Sequence, residues 1–194
     1  MNDIYINLYI VCQDQQVFFR KVIRIPMSTS PLASMSVMTT SKLIATYGGG
    51  ASYDPQRDVI WLIGGYSDYE EEEPVNLVQY WSVQNNSANT WDGILDSSCV
   101  SGANAYNTIY QSSSLWFGAP TGLCQYQLVD DDSNTTTRLW TWPNSTSSNA
   151  TAIALNTDFQ DILYIVTSDH IFWIFDINAA INNLANPWDF GIFK

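Results

Sequence analysis

The chain has 194 residues, of which 46% are hydrophobic and 14% aromatic, which suits one sizeable core or a short repeat array and excludes wholesale disorder. Its formal net charge of -12 repels phosphate backbones and anionic lipid surfaces, so nucleic acid and membrane surfaces are poor partners. No apolar run is long enough to span a bilayer, and residues 1–20 lack the pattern of a secretory signal.

A short apolar segment rich in β-branched and aromatic residues recurs four times along the chain. The four copies are Leu8–Cys12, Ile60–Gly64, Ser114–Gly118 and Leu163–Thr167. Their second residues, Tyr9, Trp61, Leu115 and Tyr164, follow one another at intervals of 52, 54 and 49 residues. Segments of this length and composition predict fully buried β-strands.

A second predicted strand follows each copy after a few turn-forming residues. These second strands are Val17–Ile25, Leu77–Gln84, Leu123–Asp130 and Ile171–Ile177. A single hairpin buries too little surface to fold alone, so we expect successive hairpins to stack and share a core. Helix signals are sparse, and the asparagines of the best candidate, Asn178–Ala185, make it a poor one.

The second repeat carries the most specific motif of the chain. Residues 53–65 read Tyr-Asp-Pro-Gln-Arg-Asp-Val-Ile-Trp-Leu-Ile-Gly-Gly, a buried strand that ends in the pair Gly64 and Gly65. A second strand and an asparagine-rich turn then lead to Trp91. This pattern resembles a kelch repeat, the blade of one class of β-propeller, and the match covers residues 53–91. The third repeat keeps Gly118, and the fourth ends near Trp188.

The resemblance implies an all-β fold, a β-propeller-like array of about four kelch-like blades in a single region spanning residues 1–194. The expected repeats are 1–47, 48–96, 97–150 and 151–194. Closed propellers have four to eight blades. We therefore expect either a small closed ring or an incomplete propeller, such as a fragment or an arc completed by another chain. Six motif residues are expected to be structural: Trp61, Gly64, Gly65, Trp91, Gly118 and Trp188.

The same resemblance raises a comparison with galactose-oxidase-like enzymes, whose kelch propeller holds copper through histidine and tyrosine. This chain has a single histidine, His170, whereas a copper site of that type needs two imidazoles. The three cysteines lack the paired spacing of a zinc site, and no nucleophile elbow or phosphate-binding loop occurs. We expect no catalytic residue, no metal and no cofactor, and interpret His170 as an exposed turn residue.

Binding is the class of function that remains. The sequence favours a non-catalytic scaffold for protein–protein interaction, with a carbohydrate-binding propeller or a partial, inactive relative of galactose-oxidase-like enzymes as alternatives. Aromatic side chains in loops serve both protein contacts and sugar stacking. The candidate binding-loop residues are therefore Tyr66, Tyr69, Trp140 and Trp142. Packing between blades is the competing interpretation for each tryptophan.

Three further features bear on partners and compartment. The acidic runs Glu70–Glu73 and Asp130–Asp132 are expected to be solvated loops, with a cation or basic-partner site as the alternative. Cys99 and Cys124 can bridge in an oxidising compartment, and are otherwise buried thiols. Sequons for N-glycosylation begin at Asn85, Asn134, Asn144 and Asn149. The expected location is extracellular, or the ectodomain of a membrane protein, with the cytoplasm as the alternative.

Overall fold

The protein is mostly β in the computed structural model, which confirms the predicted all-β class. The structure describes residues 6–14, 17–27, 36–39, 46–47, 49–67, 77–85, 87–94, 99, 108–119, 121–128, 137–143, 150–156, 158–159, 161–183 and 186–191. Seventeen strands lie within these residues, together with a helix, α1 (Ile177–Asn182).

Most of the strands belong to four antiparallel sheets. The first sheet contains β1 (Ile6–Asp14), β2 (Val17–Met27) and β3 (Ser36–Thr39). The second contains β5 (Gly50–Asp54), β6 (Val59–Ile63), β8 (Leu77–Ser82) and β9 (Ser87–Ile94). The third contains β10 (Thr108–Gln111), β11 (Ser114–Ala119), β12 (Gly122–Gln127) and β13 (Thr137–Thr141). The fourth contains β14 (Ala150–Leu155), β15 (Ile162–Thr167), β16 (Phe172–Asp176) and β17 (Trp188–Gly191).

Each sheet is an up-and-down meander in which strands that follow one another along the chain also pair. The exception is a short excursion between β6 and β8, where β7 (Tyr66–Ser67) leaves the second sheet and pairs with β4 (Thr46–Tyr47). Since side chains alternate along every strand, each sheet has two faces to cover. The order of the sheets along the chain decides which neighbours can cover them.

Two apolar clusters lie within the described core, one on each face of the third sheet. Cluster A joins the second and third sheets and contains Val59, Trp61, Ile63, Val78, Cys99, Leu115, Phe117, Ala119, Cys124, Tyr126 and Leu128. Cluster B joins the third and fourth sheets and contains Trp116, Leu123, Trp142, Ala150, Ile153, Leu163, Ile165, Trp173, Phe175, Ile177 and Ala180. Strand β11 contributes to both clusters by simple alternation, so the third sheet is the middle layer of three.

The prediction that every apolar segment is a fully buried strand is wrong for the fourth sheet. Strands β6 and β11 are buried along their whole length, as predicted. In β15, however, Leu163, Ile165 and Thr167 are buried while Val166 is 38% exposed. The reason is the alternation of side chains, because the third sheet covers one face of β15 and leaves the other face accessible.

A helix does form in the region of the asparagine-rich candidate Asn178–Ala185. Helix α1 begins after Asp176, whose Oδ1 accepts a hydrogen bond from the Ala179 N–H at 2.9 Å, and ends at Asn183 in a left-handed conformation. Both are preferred capping arrangements. Ile177 and Ala180 are buried in cluster B. Capping and burial on one face therefore outweigh the poor helix propensity of the asparagines.

A disulfide joins Cys99 to Cys124, which are 25 positions apart in sequence and have their Cα atoms 6.0 Å apart. Both cysteines are buried in cluster A. Of the two states that the sequence allows for this pair, the structure has the disulfide.

Candidate functional site

The pair Gly64 and Gly65 makes the chain leave β6 along a path that favours glycine. Their φ angles are 60° and 95°, in the left-handed region that side chains with a Cβ rarely adopt. Both residues are buried, and the strand that follows them pairs Tyr66 with Tyr47. The two glycines therefore allow the backbone path between β6 and β7.

Asp54 fixes the turn that precedes β6. Its Oδ1 accepts hydrogen bonds from the N–H groups of Gln56 at 2.8 Å and Arg57 at 3.1 Å. Its Oδ2 accepts from Arg57 Nη1 at 3.1 Å and Trp61 Nε1 at 3.3 Å. Burial alone would raise the pKa of the Asp54 carboxyl, but these hydrogen bonds outweigh it and hold the pKa below its usual value. The sequence prediction did not single out this residue.

The fourth sheet repeats this turn with an amide in place of the carboxylate. Asn156 Oδ1 accepts hydrogen bonds from the N–H groups of Asp158 at 2.8 Å and Phe159 at 3.0 Å. Its Nδ2 donates to the Tyr164 hydroxyl at 2.8 Å. As with Asp54, one side chain both closes the turn and ties it to an aromatic residue of the next strand.

In the third sheet a tryptophan, Trp116, makes the corresponding contact, but with a backbone group. Its Nε1 donates a hydrogen bond to the Gln111 carbonyl oxygen at 3.2 Å. Trp61, Trp116 and Tyr164 are each the third residue of their strand. Trp61 packs toward the third sheet and Trp116 toward the fourth. In the structure Trp116, and not Leu115, is therefore equivalent to Trp61, one residue away from the match made by sequence.

The remaining motif residues lie where the third and fourth sheets meet. A Cβ on Gly118 would overlap the Cβ of Ala150, so the absent side chain allows close approach of β14. Trp188 is half-buried, with its ring centroid 4.7 Å from that of Phe175 and 5.3 Å from that of Trp142. These residues pack the two sheets together.

Two candidate binding-loop residues lie in the same interface. Trp142 is 3% exposed and stacks on Trp173 at 6.3 Å between ring centroids. Trp140 is half-buried, with its ring 5.8 Å from that of Phe175. For Trp142 the structure thus has the packing role that the sequence offered as the competing interpretation.

Other predicted residues are only partly within the described structure. The backbones of Tyr66 and Trp91 lie in β7 and β9, whereas their side chains are not described. Tyr69, both acidic runs and three of the sequons lie outside the described residues. Asn85 is exposed after β8, and His170 is exposed in the turn between β15 and β16 with φ of 65°.

A cavity of about 370 Å³ opens between the third sheet and helix α1. Its lining residues are mostly polar: Ser112, Ser114, Gln125, Gln127, Arg138 and Ile181. Cross-strand pairing brings Ser114 opposite Gln127, and Gln125 opposite Arg138. Gln125 Nε2 donates to Ser114 Oγ at 3.1 Å, and Ser114 Oγ donates to the Ser112 carbonyl oxygen at 3.4 Å. The sheet therefore orients the buried polar groups before any ligand enters.

Arg138 gives this cavity its charge. It is the only lysine or arginine between Arg57 and Lys194, in a chain of net charge -12. Its side chain is exposed, and its Cζ lies 5.7 Å from the centroid of the Trp140 ring. A guanidinium group binds carboxylates through two parallel hydrogen bonds, and glutamine and serine both donate and accept. The cavity can hold a small carboxylate or a group rich in hydroxyls.

Sequence reasoning missed the cavity because its lining comes from four separate segments of the chain, namely the turn leading into β11, β12, β13 and helix α1. No motif connects those residues. One signal was available, the isolation of Arg138 in an acidic half of the chain, and the prediction concentrated on aromatic residues instead.

A comparison of the chain with protein-family models and with curated proteins finds no match. Within the described residues, no helix has the length and apolar character needed to cross a membrane. No group of three or more histidine, cysteine, aspartate or glutamate side chains is arranged to hold a metal ion in that same part of the chain.

Proposed function

We propose that this chain is a non-catalytic binding scaffold built as a kelch-type β-propeller array, which binds a protein partner. The observation that carries the proposal is the third sheet, a four-stranded meander with both faces buried against neighbouring meanders. Sheets packed in this way are the building principle of propellers. The left-handed pair Gly64 and Gly65 adds support, because it stands where the kelch resemblance expects it.

The ligand group is a carboxylate of the partner, bound in the cavity beside helix α1. Arg138 supplies the positive charge, and Gln125 and Ser114 supply oriented hydrogen-bonding groups. An acidic protein with one basic residue in this region attracts an acidic group at that point and repels it elsewhere. Specificity would then come from the charge pattern around the cavity.

Carbohydrate binding is the second candidate, and a specific observation favours it. The cavity lining contains two glutamines and two serines, whose amides and hydroxyls suit the hydroxyls of a sugar. A sugar ligand would depend less on Arg138 than a carboxylate would.

The test is a calorimetric titration with two probes, short peptides that contain aspartate or glutamate and a set of neutral oligosaccharides. We expect the acidic peptides to bind the wild-type chain and to lose at least about tenfold in affinity with Arg138→Gln, since hydrogen bonds to charged groups contribute about 1.5–3 kcal/mol. Asn178→Ala, exposed on α1 and outside the cavity lining, is the matched control. Binding of oligosaccharides alone, unchanged by Arg138→Gln, would favour the second candidate.

The absence of catalysis is tested separately by elemental analysis and by assays with alcohols and sugars. We expect no stoichiometric copper or zinc in the purified chain and no oxidation of either class of substrate. A copper ion bound in one-to-one ratio would instead favour the relationship to galactose-oxidase-like enzymes.

We also propose an oxidising location, either extracellular or in the ectodomain of a membrane protein. The support is the disulfide between Cys99 and Cys124, since such bonds persist mainly in oxidising compartments. The sequon at Asn85 is exposed and therefore accessible to glycosylation. Mass spectrometry of unreduced peptides from the native source tests the first point, and free thiols at both positions would favour the cytoplasm.

A further inference from the structure

The cavity beside helix α1 is much larger than a carboxylate alone requires. Its volume is about 370 Å³, whereas one water molecule occupies about 30 Å³ of the liquid. Sites for small molecules in proteins begin at about 300 Å³. The cavity therefore has room for a six-membered ring together with the carboxylate group that Arg138 is proposed to bind.

Hydrogen-bonding groups that both donate and accept line the buried part of this cavity. Gln125 and Ser114 are 7% and 1% exposed, and a hydrogen bond of 3.1 Å from Gln125 Nε2 to Ser114 Oγ fixes both side chains. That bond uses one of the two donor hydrogens of the amide, which also has an acceptor oxygen. A carboxylate only accepts hydrogen bonds, whereas a hydroxyl both donates and accepts. Acceptors in the lining therefore suit a ligand that carries hydroxyls in addition to its carboxylate.

The register of the third sheet places the charge of Arg138 beside these groups. Arg138 on β13 lies directly opposite Gln125 on β12, and the Cβ atoms of such a pair are about 4.5–5.5 Å apart. The Arg138 guanidinium lies beside the Trp140 ring, with Cζ 5.7 Å from the ring centroid. None of the described residues that line the cavity is acidic, although the chain has nineteen aspartates and glutamates. A ligand with a carboxylate and a hydroxyl on neighbouring carbon atoms can reach Arg138 and Gln125 at once.

Helix α1 supplies an apolar wall of the cavity. Ile181 is the one apolar residue among the described residues that line it, and it is 37% exposed. The Asp176 cap and the burial of Ile177 and Ala180 hold the helix in place. A sugar ring has C–H groups on its faces, which pack on an apolar side chain, while its hydroxyls point outward to polar groups. Apolar contact combined with a few fixed polar groups is typical of small-ligand sites.

We propose that the cavity binds an acidic sugar of the uronic acid type, with its carboxylate on Arg138, its hydroxyls on Gln125 and Ser114, and its ring against Ile181. This inference rests on the proposed function, which assigns a carboxylate of a protein partner to Arg138, and it places that carboxylate on a sugar of the partner's glycan. One molecule then supplies both the carboxylate and the hydroxyls that the lining suits. Aspartate and glutamate side chains have no hydroxyl for Gln125 and no ring for Ile181.

NMR titration of the purified chain with three probes tests the ligand class. Glucuronate and glucose have the same ring and differ at C6, which is a carboxylate in the first and a hydroxymethyl group in the second. Acetate is a carboxylate without a ring. We expect glucuronate to bind at least about tenfold more tightly than either of the others, because it alone makes both the charged and the neutral hydrogen bonds. Glucuronate that binds no better than acetate, or no better than glucose, would refute the inference.

Two substitutions separate the carboxylate contact from the ring contact. Arg138→Gln should lower the affinity for glucuronate to that for glucose and leave glucose binding unchanged. Ile181→Ser should weaken glucuronate binding several-fold and leave acetate binding unchanged, with the same circular dichroism spectrum because Ile181 is partly exposed. Asn178→Ala, exposed on α1 and outside the cavity lining, is the control and should bind glucuronate as the wild-type chain does. An Ile181→Ser chain with unchanged affinity for glucuronate would refute the placement of a ring in the cavity.

Acidic peptides and longer acidic sugars separate this inference from the function on which it rests. Binding of peptides that contain aspartate or glutamate, without binding of glucuronate, would refute the inference and support the proposed function. A chain that binds neither class refutes both. Glucuronate can belong to a glycoprotein or to a polysaccharide, so a glycopeptide that ends in glucuronate is compared with a glucuronate oligosaccharide. Tighter binding of the glycopeptide supports the protein partner, whereas tighter binding of the oligosaccharide supports the sugar site and contradicts the protein partner.

Discussion

The third and fourth sheets have the same topology, and in each a side-chain hydrogen bond ties the third residue of the second strand to the segment before that strand. The two sheets differ, however, in how many of their faces are buried. Strand β11 is buried at all six positions, whereas β15 alternates between buried and accessible residues. Both strands are almost entirely apolar or small. The difference therefore comes from the neighbours of each sheet, since the third has one on each side and the fourth has a described neighbour on one side only.

This comparison separates the contribution of a residue from the contribution of its surroundings. Trp116 and Tyr164 are equivalent in position as the third residues of their strands, and so are Gly118 and Val166 as the fifth residues. Equivalent substitutions should be costly in the third sheet and mild in the fourth. Two of the four predictions below compare these equivalent residues directly. The other two concern the disulfide and the turn at Asp54.

The largest difference is expected between Trp116→Ala and Tyr164→Ala. Trp116 is fully buried, so its removal should cost about 3–5 kcal/mol of unfolding free energy. Tyr164 is half-buried, and its removal loses one hydrogen bond and the stacking on Phe172, for which about 2 kcal/mol together is expected. Denaturant unfolding measures both losses. Equal losses would show that the two faces are equally covered.

The sequence predicted the all-β class and the repeat of apolar strands because these depend on local composition. It also located the glycine pair, since a double glycine after an apolar strand indicates a local backbone requirement. It did not predict that β15 has an accessible face, because every apolar run looks alike until its neighbours are known. The cavity beside Arg138 was missed for a related reason, as its lining assembles only when four segments pack together.

The second prediction removes the covalent link that only the third sheet has. Replacing Cys99 and Cys124 together by alanine should cost about 3 kcal/mol, the loss expected for a loop of this size. Alanine avoids introducing a polar group, because both cysteines are buried in cluster A. Thermal unfolding of the double variant and of the reduced wild-type chain should agree. A reduced wild-type chain with unchanged stability would contradict this account.

The third prediction concerns close approach of the sheets. Gly118→Ala forces a Cβ against Ala150, and overpacking of this kind costs about 1–3 kcal/mol. At the equivalent position in the fourth sheet, Val166→Ala should cost less, because Val166 is partly exposed. Combining Gly118→Ala with Ala150→Gly should recover part of the lost unfolding free energy. If the double variant is as unstable as Gly118→Ala alone, the cost arises in the backbone of β11 and not in the contact with Ala150.

The smallest effect distinguishes the turn at Asp54 from the turn at Asn156. Each side chain accepts hydrogen bonds from two backbone N–H groups of its turn, but only Asp54 titrates. Its pKa in the folded chain is below the ordinary value of 3.8, so its ionised form contributes stability above that pH, and the contribution is lost as the pH falls through the folded pKa. Asp54→Asn should therefore cost stability at neutral pH and flatten the decline in melting temperature below pH 3.8. Asn156→Asp should introduce such a decline, because a protonated carboxyl accepts hydrogen bonds from the N–H groups of Asp158 and Phe159 less well than the carboxylate. If Asp54→Asn does not change how the melting temperature declines at acid pH, other carboxylates dominate acid unfolding. The hydrogen bonds to Asp54 then contribute through geometry alone.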